Sequence, residues 1–124
     1  MKKILIMSIL CSILGFLGCN AQNSGFKTVD AKKFAELIAD TNVFLLDVRT
    51  MEEYNEGHIK GAVNIDVMKA DFEKKACAII PEGKTVALYC RSGNRSKRAA
   101  AILADKYKVI ELGSGYIGWL DSRP

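Results

Sequence analysis

Short apolar runs alternate with segments of helical periodicity along most of the chain. The runs at residues 43–48 (VFLLDV) and 85–89 (TVALY) are almost continuously apolar, which is typical of strands buried on both faces of a parallel sheet. Shorter runs that we predict as strands lie at residues 26–29, 62–65 and 109–112. This alternation predicts an α/β fold with a mainly parallel sheet.

The segments between these runs predict helices. Asp30 is a suitable N-cap for a helix with apolar side chains on one face. Residues 50–56 form a short acidic turn, residues 66–78 have helical character, and residues 96–107 form a helix with one apolar stripe. Three closely spaced glycines are expected to loosen the chain after the last strand.

The first part of the chain does not fit this pattern. Lys2 and Lys3 precede an uncharged, apolar run at residues 4–17, which ends in small residues. Such an order is typical of an export signal. The run is short for a membrane span, which needs about 20 apolar residues.

The end of the apolar run resembles a bacterial lipobox. In that pattern signal peptidase II cuts before a cysteine whose thiol then carries lipid, and Leu17-Gly18-Cys19 fits it, although Phe16 replaces the usual leucine. Cleavage after Ala21 and an uncleaved anchor are the alternatives. A lipid anchor on Cys19 would hold the protein to a membrane on the periplasmic side of the bacterial cell envelope.

These features divide the chain into three parts. We expect a signal peptide at residues 1–18, the lipid-attachment cysteine with a short tether at residues 19–25, and one domain at residues 26–124. Loss of two lysines with the signal lowers the formal net charge from +4 to +2. This balance does not indicate a nucleic-acid partner.

The cysteines and the histidine limit the possible sites. Of four cysteines, only Cys77 and Cys90 lie in the expected domain, and two do not make a disulfide framework. Cys77 lies in a helical, apolar segment, where we expect it to pack. There is no Cys-x-x-Cys, and His58 is the single histidine, so we expect no metal and no cofactor.

Cys90 stands at the carboxyl end of TVALY, where ligands bind in α/β folds. The stretch CRSGNRS leads from that strand to a helix N-terminus, where free N–H groups and the helix dipole stabilise an anion such as a thiolate. Donors, positive charge and a tight turn come from Arg91, Ser92, Gly93, Asn94, Arg95 and Ser96. The alternative is a buried core cysteine before a solvated helix, but six consecutive residues suited to an anion favour a reactive thiol.

Three segments together resemble the rhodanese-like domain family. CRSGNRS resembles its active-site loop. LLDVRTMEEYNEGHIKGAVNI, residues 45–65, resembles its upstream signature, and ELGSGYIGW, residues 111–119, its closing segment, with Ser114 where a second glycine is usual. The resemblance implies a five-stranded, mainly parallel sheet with helices on both faces.

The resemblance also implies a sulfurtransferase. The Cys90 thiolate would take a sulfane sulfur from a small anion such as thiosulfate, or from a polysulfide, and pass it from a persulfide to a thiol or cyanide. The family uses no partner base for this thiolate. We expect a monomer. The physiological donor and acceptor are open.

The charged residues near the loop have expected roles. Its backbone N–H groups would hold the persulfide or the donor's oxygens, and Arg91 would steer an anionic donor. Arg95 either does the same or pairs with Asp47, and we favour the pair because Asp47 ends a buried strand and needs a partner. Arg49 is a further candidate for substrate binding, and a structural role is the alternative; for Asp47 we expect a structural role. His58 is expected to stabilise a turn rather than act as a base.

The spacing from Cys90 to Arg95 separates two chemistries. Phosphatases and arsenate reductases that share this fold use Cys-x5-Arg, which surrounds a tetrahedral oxyanion, whereas this chain has Cys-x4-Arg. The shorter loop resembles that of the sulfurtransferases. A phosphatase or arsenate reductase is therefore the less favoured alternative, after a rhodanese-like module that carries sulfur or binds a protein without turnover.

Overall fold

The computed structural model describes residues 25–122. The expected signal peptide, the lipid-attachment site at Cys19 and all of the tether except Gly25 lie outside the described residues. Within them the elements follow in the order β1 (Phe26–Val29), α1 (Ala31–Ile38), β2 (Val43–Asp47), α2 (Met51–Glu56), β3 (Val63–Asn64), α3 (Phe72–Ile79), β4 (Thr85–Tyr89), α4 (Asn94–Leu103), β5 (Lys108–Leu112) and α5 (Gly115–Ser122). No helix of this part is both long and apolar enough to cross a bilayer.

The five strands form one parallel sheet in the order β1-β5-β4-β2-β3. Leu88 of β4 lies in register with Leu46 of β2 on one side and with Glu111 of β5 on the other. The strand that carries Cys90 at its end is therefore central. This sheet, with helices on both faces, confirms the expected fold class.

Alternate side chains of β4 supply two separate cores, one on each face of the sheet. Val86 and Leu88 pack with residues of α3 and α4, and Cys90 and the partly buried Cys77 join this core. Ala87 and Tyr89 pack on the other face with α1, and partly buried residues of α2 and α5 cover that core. The prediction that Cys77 packs is confirmed.

The second core fixes the position of α1 and α5. Asp30 caps α1 by accepting a hydrogen bond from the Lys33 N–H at 2.9 Å, as predicted. The fully buried Phe34 ring meets Tyr89 and Trp119 edge-on at centroid distances of 6.4 and 6.3 Å. Burial of such a ring stabilises the fold by about 1.5–3 kcal/mol.

Two predicted helix boundaries and one predicted loop are wrong. The segment at 66–78 becomes helical only at Phe72, because the Asp66 side chain accepts from the Met68 N–H at 2.8 Å and forms a turn. The helix after Cys90 covers Asn94–Leu103 instead of 96–107. The glycine-rich stretch expected to be loose contains α5.

Candidate active site around Cys90

The turn from β4 into α4 brings Cys90 to the N-terminus of that helix. Only residues 90–93 separate the two elements, which makes the turn tight. Gly93 occupies the N-cap position with φ +109, in the left-handed region that favours glycine. A Cβ on this glycine would lie 2.4 Å from the Gly113 carbonyl oxygen. The close approach of two chain segments therefore requires glycine here.

The sulfur of Cys90 lies among donors that α4 and its N-cap supply. The Gly93 N–H donates to Sγ at 3.1 Å, and the thiol is 1% exposed. Burial raises the pKa of Cys90. The Ser96 hydroxyl and the N–H groups of Ser96, Gly93 and Ser92 lower it and outweigh burial, so the pKa lies below its ordinary value. The loop thus favours a thiolate at the point where the sequence predicts one.

The carbonyl groups of the same loop point to α5. The Tyr116 N–H donates to the Cys90 carbonyl at 2.8 Å, and the Ile117 N–H donates to the Arg91 carbonyl at 3.1 Å. Gly115 has φ +67, and a Cβ there would lie 2.3 Å from the Arg91 oxygen. Helix α5 therefore accounts for the carbonyl groups and leaves loop N–H groups for the sulfur.

A buried carboxylate lies on the opposite side of α4 from solvent. Glu111 of β5 is 0% exposed and accepts hydrogen bonds from Thr28 Oγ1 at 2.7 Å, Ser96 Oγ at 2.6 Å and Lys97 Nζ at 3.1 Å. Lys97 Nζ also donates to the Gly93 carbonyl at 3.2 Å. We predicted no role for Glu111. The signal available in the sequence was a single acidic residue beside the apolar residues of the strand KVIEL, since a buried acid needs partners.

The prediction that Arg95 pairs with Asp47 is wrong. Its terminal nitrogens donate to the two carboxylate oxygens of Glu53 at 2.7 and 3.0 Å. The hydrogen bond from Arg95 is the main reason that the pKa of Glu53 falls to about 2. Glu53 also accepts from the Thr50 N–H in the capping box of α2. Arg95 thus stabilises the loop, as we favoured, by joining it to α2.

Asp47 pairs with Arg49 instead. Arg49 Nη2 donates to the Asp47 carboxylate and to the Gly57 carbonyl, both at 2.7 Å. Arg49 is 3% exposed and Asp47 is 0% exposed. The Tyr89 hydroxyl also donates to Asp47 at 2.7 Å, and the guanidinium lies 4.5 Å from the Tyr116 ring centroid. Asp47 and Arg49 are two positions apart in extended chain, which places both side chains on the same side of it. Arg49 therefore has a structural position, which is one of the two roles that the sequence left open for it.

The remaining predicted residues lie at the surface. Arg91, Ser92 and Asn94 are exposed at the outer side of the loop. His58 stacks on Tyr54 at a centroid distance of 3.7 Å, and its Nδ1 lies 2.9 Å from the Tyr54 carbonyl oxygen. The ring thus stabilises the turn after α2, as expected for this residue.

Comparisons with known proteins agree with this geometry. The rhodanese-like domain model matches residues 30–122. A sulfurtransferase of Allochromatium vinosum is 33% identical over 94 residues, which cover 73% of this chain and 85% of the relative. Thiosulfate sulfurtransferase PspE of Escherichia coli is 35% identical over 71 residues, 56% of this chain and 67% of that one.

Longer relatives and a solved structure complete the comparison. The match covers 35% to 52% of the length of several longer relatives. The structure of the human single-domain sulfurtransferase TSTD1 superposes with a TM-score of 0.62 and 26% identity, over 76% of this chain and 95% of that one. The family model covers most of this chain, and the Allochromatium relative is matched over most of both lengths. This chain therefore belongs to the rhodanese-like domain family.

Proposed function

We propose that the chain transfers a sulfane sulfur through a persulfide on Cys90. The observation that carries this proposal is the Cys90 sulfur, held among N–H donors that lower the pKa of its thiol. The thiolate attacks the outer sulfur of thiosulfate, the S–S bond of the donor breaks, and sulfite leaves with the electron pair. A polysulfide donor would react in the same way.

The second step returns the free thiolate. Cyanide or a thiolate attacks the outer sulfur of the persulfide, the S–S bond breaks, and the electron pair stays on Cys90 Sγ. The loop N–H groups stabilise the negative charge there, because they are already oriented by α4 and α5. No metal or cofactor takes part in either step.

The position of Arg95 supports sulfur transfer over phosphate chemistry. Both terminal nitrogens of Arg95 donate to Glu53, so this guanidinium already binds a carboxylate of the chain. A loop that binds a tetrahedral oxyanion needs its arginine for the oxygens. The shorter spacing after Cys90 and this ion pair therefore point to the same chemistry.

Arg91 is our candidate for attracting an anionic donor. It is exposed and directly follows Cys90 in the chain. We expect Arg91→Gln to raise KM for thiosulfate several-fold with little change in kcat, because a surface charge acts mainly on encounter. Arg98→Gln removes the same charge from an exposed position of α4 and should leave KM within about twofold.

Turnover and persulfide formation test the mechanism directly. The purified full chain should convert thiosulfate and cyanide to sulfite and thiocyanate, and mass spectrometry should find one added sulfur on the peptide that contains Cys90. Cys90→Ser should abolish both results, whereas Cys77→Ser should preserve them. The proposal is wrong if neither thiosulfate nor polysulfide adds sulfur to Cys90. A persulfide that no acceptor removes would indicate a carrier, and Cys90-dependent hydrolysis of a phosphate ester would indicate a phosphatase.

We also propose that the chain is exported and lipid-anchored through Cys19. The basic start, the apolar run at residues 4–17 and the lipobox-like LGC support this location. The mature protein from bacterial membranes should have the mass of the chain from Cys19 onward plus a diacyl modification. Cys19→Ser should lose the modification and Cys11→Ser should keep it. A mass that corresponds to cleavage after Ala21, or to the uncleaved chain, contradicts the proposal.

A further inference from the structure

Glu111 is a buried carboxylate in a strand that otherwise has no polar side chain facing the core. Neighbouring Ile110 and Leu112 are 8% and 0% exposed. Taking a carboxylate out of water is costly, and a well-packed apolar side chain would serve stability as well or better. The position of Glu111 is informative, because one of its three donors, Ser96, also belongs to the Cys90 loop.

The Ser96 hydroxyl has one hydrogen, and it donates this hydrogen to Glu111. It lies 2.6 Å from Glu111 Oε2, a distance typical of a hydrogen bond from a hydroxyl to a carboxylate. The same hydroxyl is among the groups that lower the pKa of the Cys90 thiol, and the Ser96 residue lies in the first turn of α4, whose N-cap donates to the sulfur. A serine donates one hydrogen at a time, so a hydrogen bond from Ser96 Oγ to the Cys90 sulfur would exclude the one to Glu111.

We propose that Glu111 is a positioning residue that holds the Ser96 hydrogen and releases it when negative charge develops on the Cys90 sulfur. The inference rests on the sulfur transfer proposed above. When the acceptor takes the outer sulfur, the S–S bond breaks and the electron pair stays on Sγ. The Ser96 O–H then rotates from the Glu111 carboxylate to the Cys90 sulfur. Its proton stays bonded to the Ser96 oxygen throughout. Glu111 keeps Thr28 and Lys97 as donors.

A second connection runs from Glu111 to the sulfur through Lys97. The Lys97 ammonium donates both to Glu111 and to the Gly93 carbonyl, and the Gly93 N–H is itself a donor to Cys90. Glu111 therefore contacts two consecutive residues in the first turn of α4, Ser96 and Lys97. Glu111→Gln removes the charge and keeps the shape of the side chain. It therefore separates the competition for the Ser96 hydrogen from the packing of residue 111 against α4.

Several charged and polar groups surround the pair of acceptors. From α4, Lys97 contacts Glu111, and the pKa of Arg95 is raised first by its hydrogen bond to Glu53 and to a smaller extent by the charge of the Cys90 thiolate. From β1 comes the uncharged hydroxyl of Thr28, and β4 places the apolar Leu88 in register with Glu111. Lys97 and Arg95 keep their charges in the proposed variants, so the expected change is due to Glu111 and Ser96.

The pH dependence of Cys90 alkylation tests the inference. Iodoacetamide reacts with the thiolate, and peptide mass analysis of the full chain gives the rate at Cys90 without interference from other cysteines. Glu111→Gln should lower the midpoint by about one pH unit, which is about a tenfold faster reaction at a fixed pH below both midpoints. Ser96→Ala should raise the midpoint. In the Ser96→Ala background, Glu111→Gln should lower it less than half as much.

Thr28→Val gives a second measurement if Glu111→Gln does not fold. It removes one donor from Glu111 without a change in charge or shape, so Glu111 should retain the Ser96 hydrogen more strongly and the midpoint should rise. Glu36→Gln, at an exposed acid of α1, should leave the midpoint unchanged.

Three results would overturn the inference. An unchanged or raised midpoint in folded Glu111→Gln would mean that the carboxylate only supports packing. An equal fall with and without Ser96 would mean that its charge acts through space. An unchanged midpoint in Thr28→Val would mean that the donors of Glu111 do not compete. Alkylation needs no sulfur donor, so these outcomes are independent of whether the chain transfers sulfur.

Discussion

Replacement of Arg49 by methionine should destabilise the fold strongly. The substitution keeps a long side chain but leaves the Asp47 carboxylate, which is 0% exposed, without its ionic partner. Removing one partner of a buried ion pair typically lowers the free energy of unfolding by about 3–5 kcal/mol. The Tyr89 hydroxyl still donates to Asp47 at 2.7 Å, as does the N–H of residue 49 at 2.9 Å. We therefore expect the low end, about 3 kcal/mol.

The chain offers a matched exposed pair as a control. Lys33 and Glu36 lie 3.8 Å apart on α1, and each side chain is 58% exposed. Such an i,i+3 pair contributes about 0.2–0.5 kcal/mol, so Lys33→Met should change the free energy of unfolding by no more than that. Asp47→Leu combined with Arg49→Met removes both buried charges and should recover part of the loss.

Urea unfolding followed by Trp119 fluorescence and circular dichroism measures these differences. For a domain of this size, about 3 kcal/mol corresponds to a fall in Tm of roughly 12–24 °C. The reasoning is refuted if Arg49→Met costs less than about 1 kcal/mol, the value of an exposed pair. A raised KM for thiosulfate with unchanged stability would instead assign Arg49 to substrate binding.

Two further predictions concern the supports of the Cys90 loop. The pKa of Glu53 is about 2 in the folded chain against an ordinary 4.5, so the pair with Arg95 contributes fully above pH 4.5 and is lost as pH falls toward 2. Because both side chains are partly exposed, we expect the pair to contribute about 1 kcal/mol to the free energy of unfolding. The urea midpoint of Glu53→Gln should lack this loss at acidic pH. Gly115→Ala should destabilise by at least about 2 kcal/mol and slow Cys90 alkylation, because its Cβ would meet the Arg91 oxygen at 2.3 Å. Gly83→Ala, with φ +87 and nothing within 4 Å of its Cβ, should cost about 1 kcal/mol; equal losses at the two glycines would contradict the close contact.

The strands could be predicted from the sequence because a strand buried on both faces needs an apolar run. VFLLDV and TVALY became the inner strands β2 and β4. The helix boundaries around the site were harder to predict from the sequence. Residues 115–122 look unsuited to a helix because of Gly115 and Gly118, yet α5 begins where its N–H groups meet carbonyls of the Cys90 loop. That interaction is tertiary and leaves no local pattern.

The reactive position was predictable, but the partners of the charges were not. Cys90 follows a buried strand and precedes a helix, which the sequence displays directly. For Arg95 we considered only Asp47 as a partner, and the observed pairing with Glu53 depends on which helix packs beside the loop. Glu111 could be noticed as an acid in an apolar strand, but its donors come from residues 83 and 15 positions away.

The chemistry of Cys90 depends on contacts between two distant segments. The loop after β4 and the loop after β5 approach so closely that Gly93 and Gly115 cannot carry a Cβ, and α5 holds the loop carbonyls. Both segments are in place only when β4 and β5 are paired, so the lowered pKa of Cys90 is a property of the folded domain. By linkage, a pKa below that of the unfolded chain means that thiolate formation stabilises the fold, fully above the unfolded pKa and not at all once pH falls below the folded one. Any substitution that loosens α5 should therefore lower both the reactivity of Cys90 and the stability of the domain at alkaline pH.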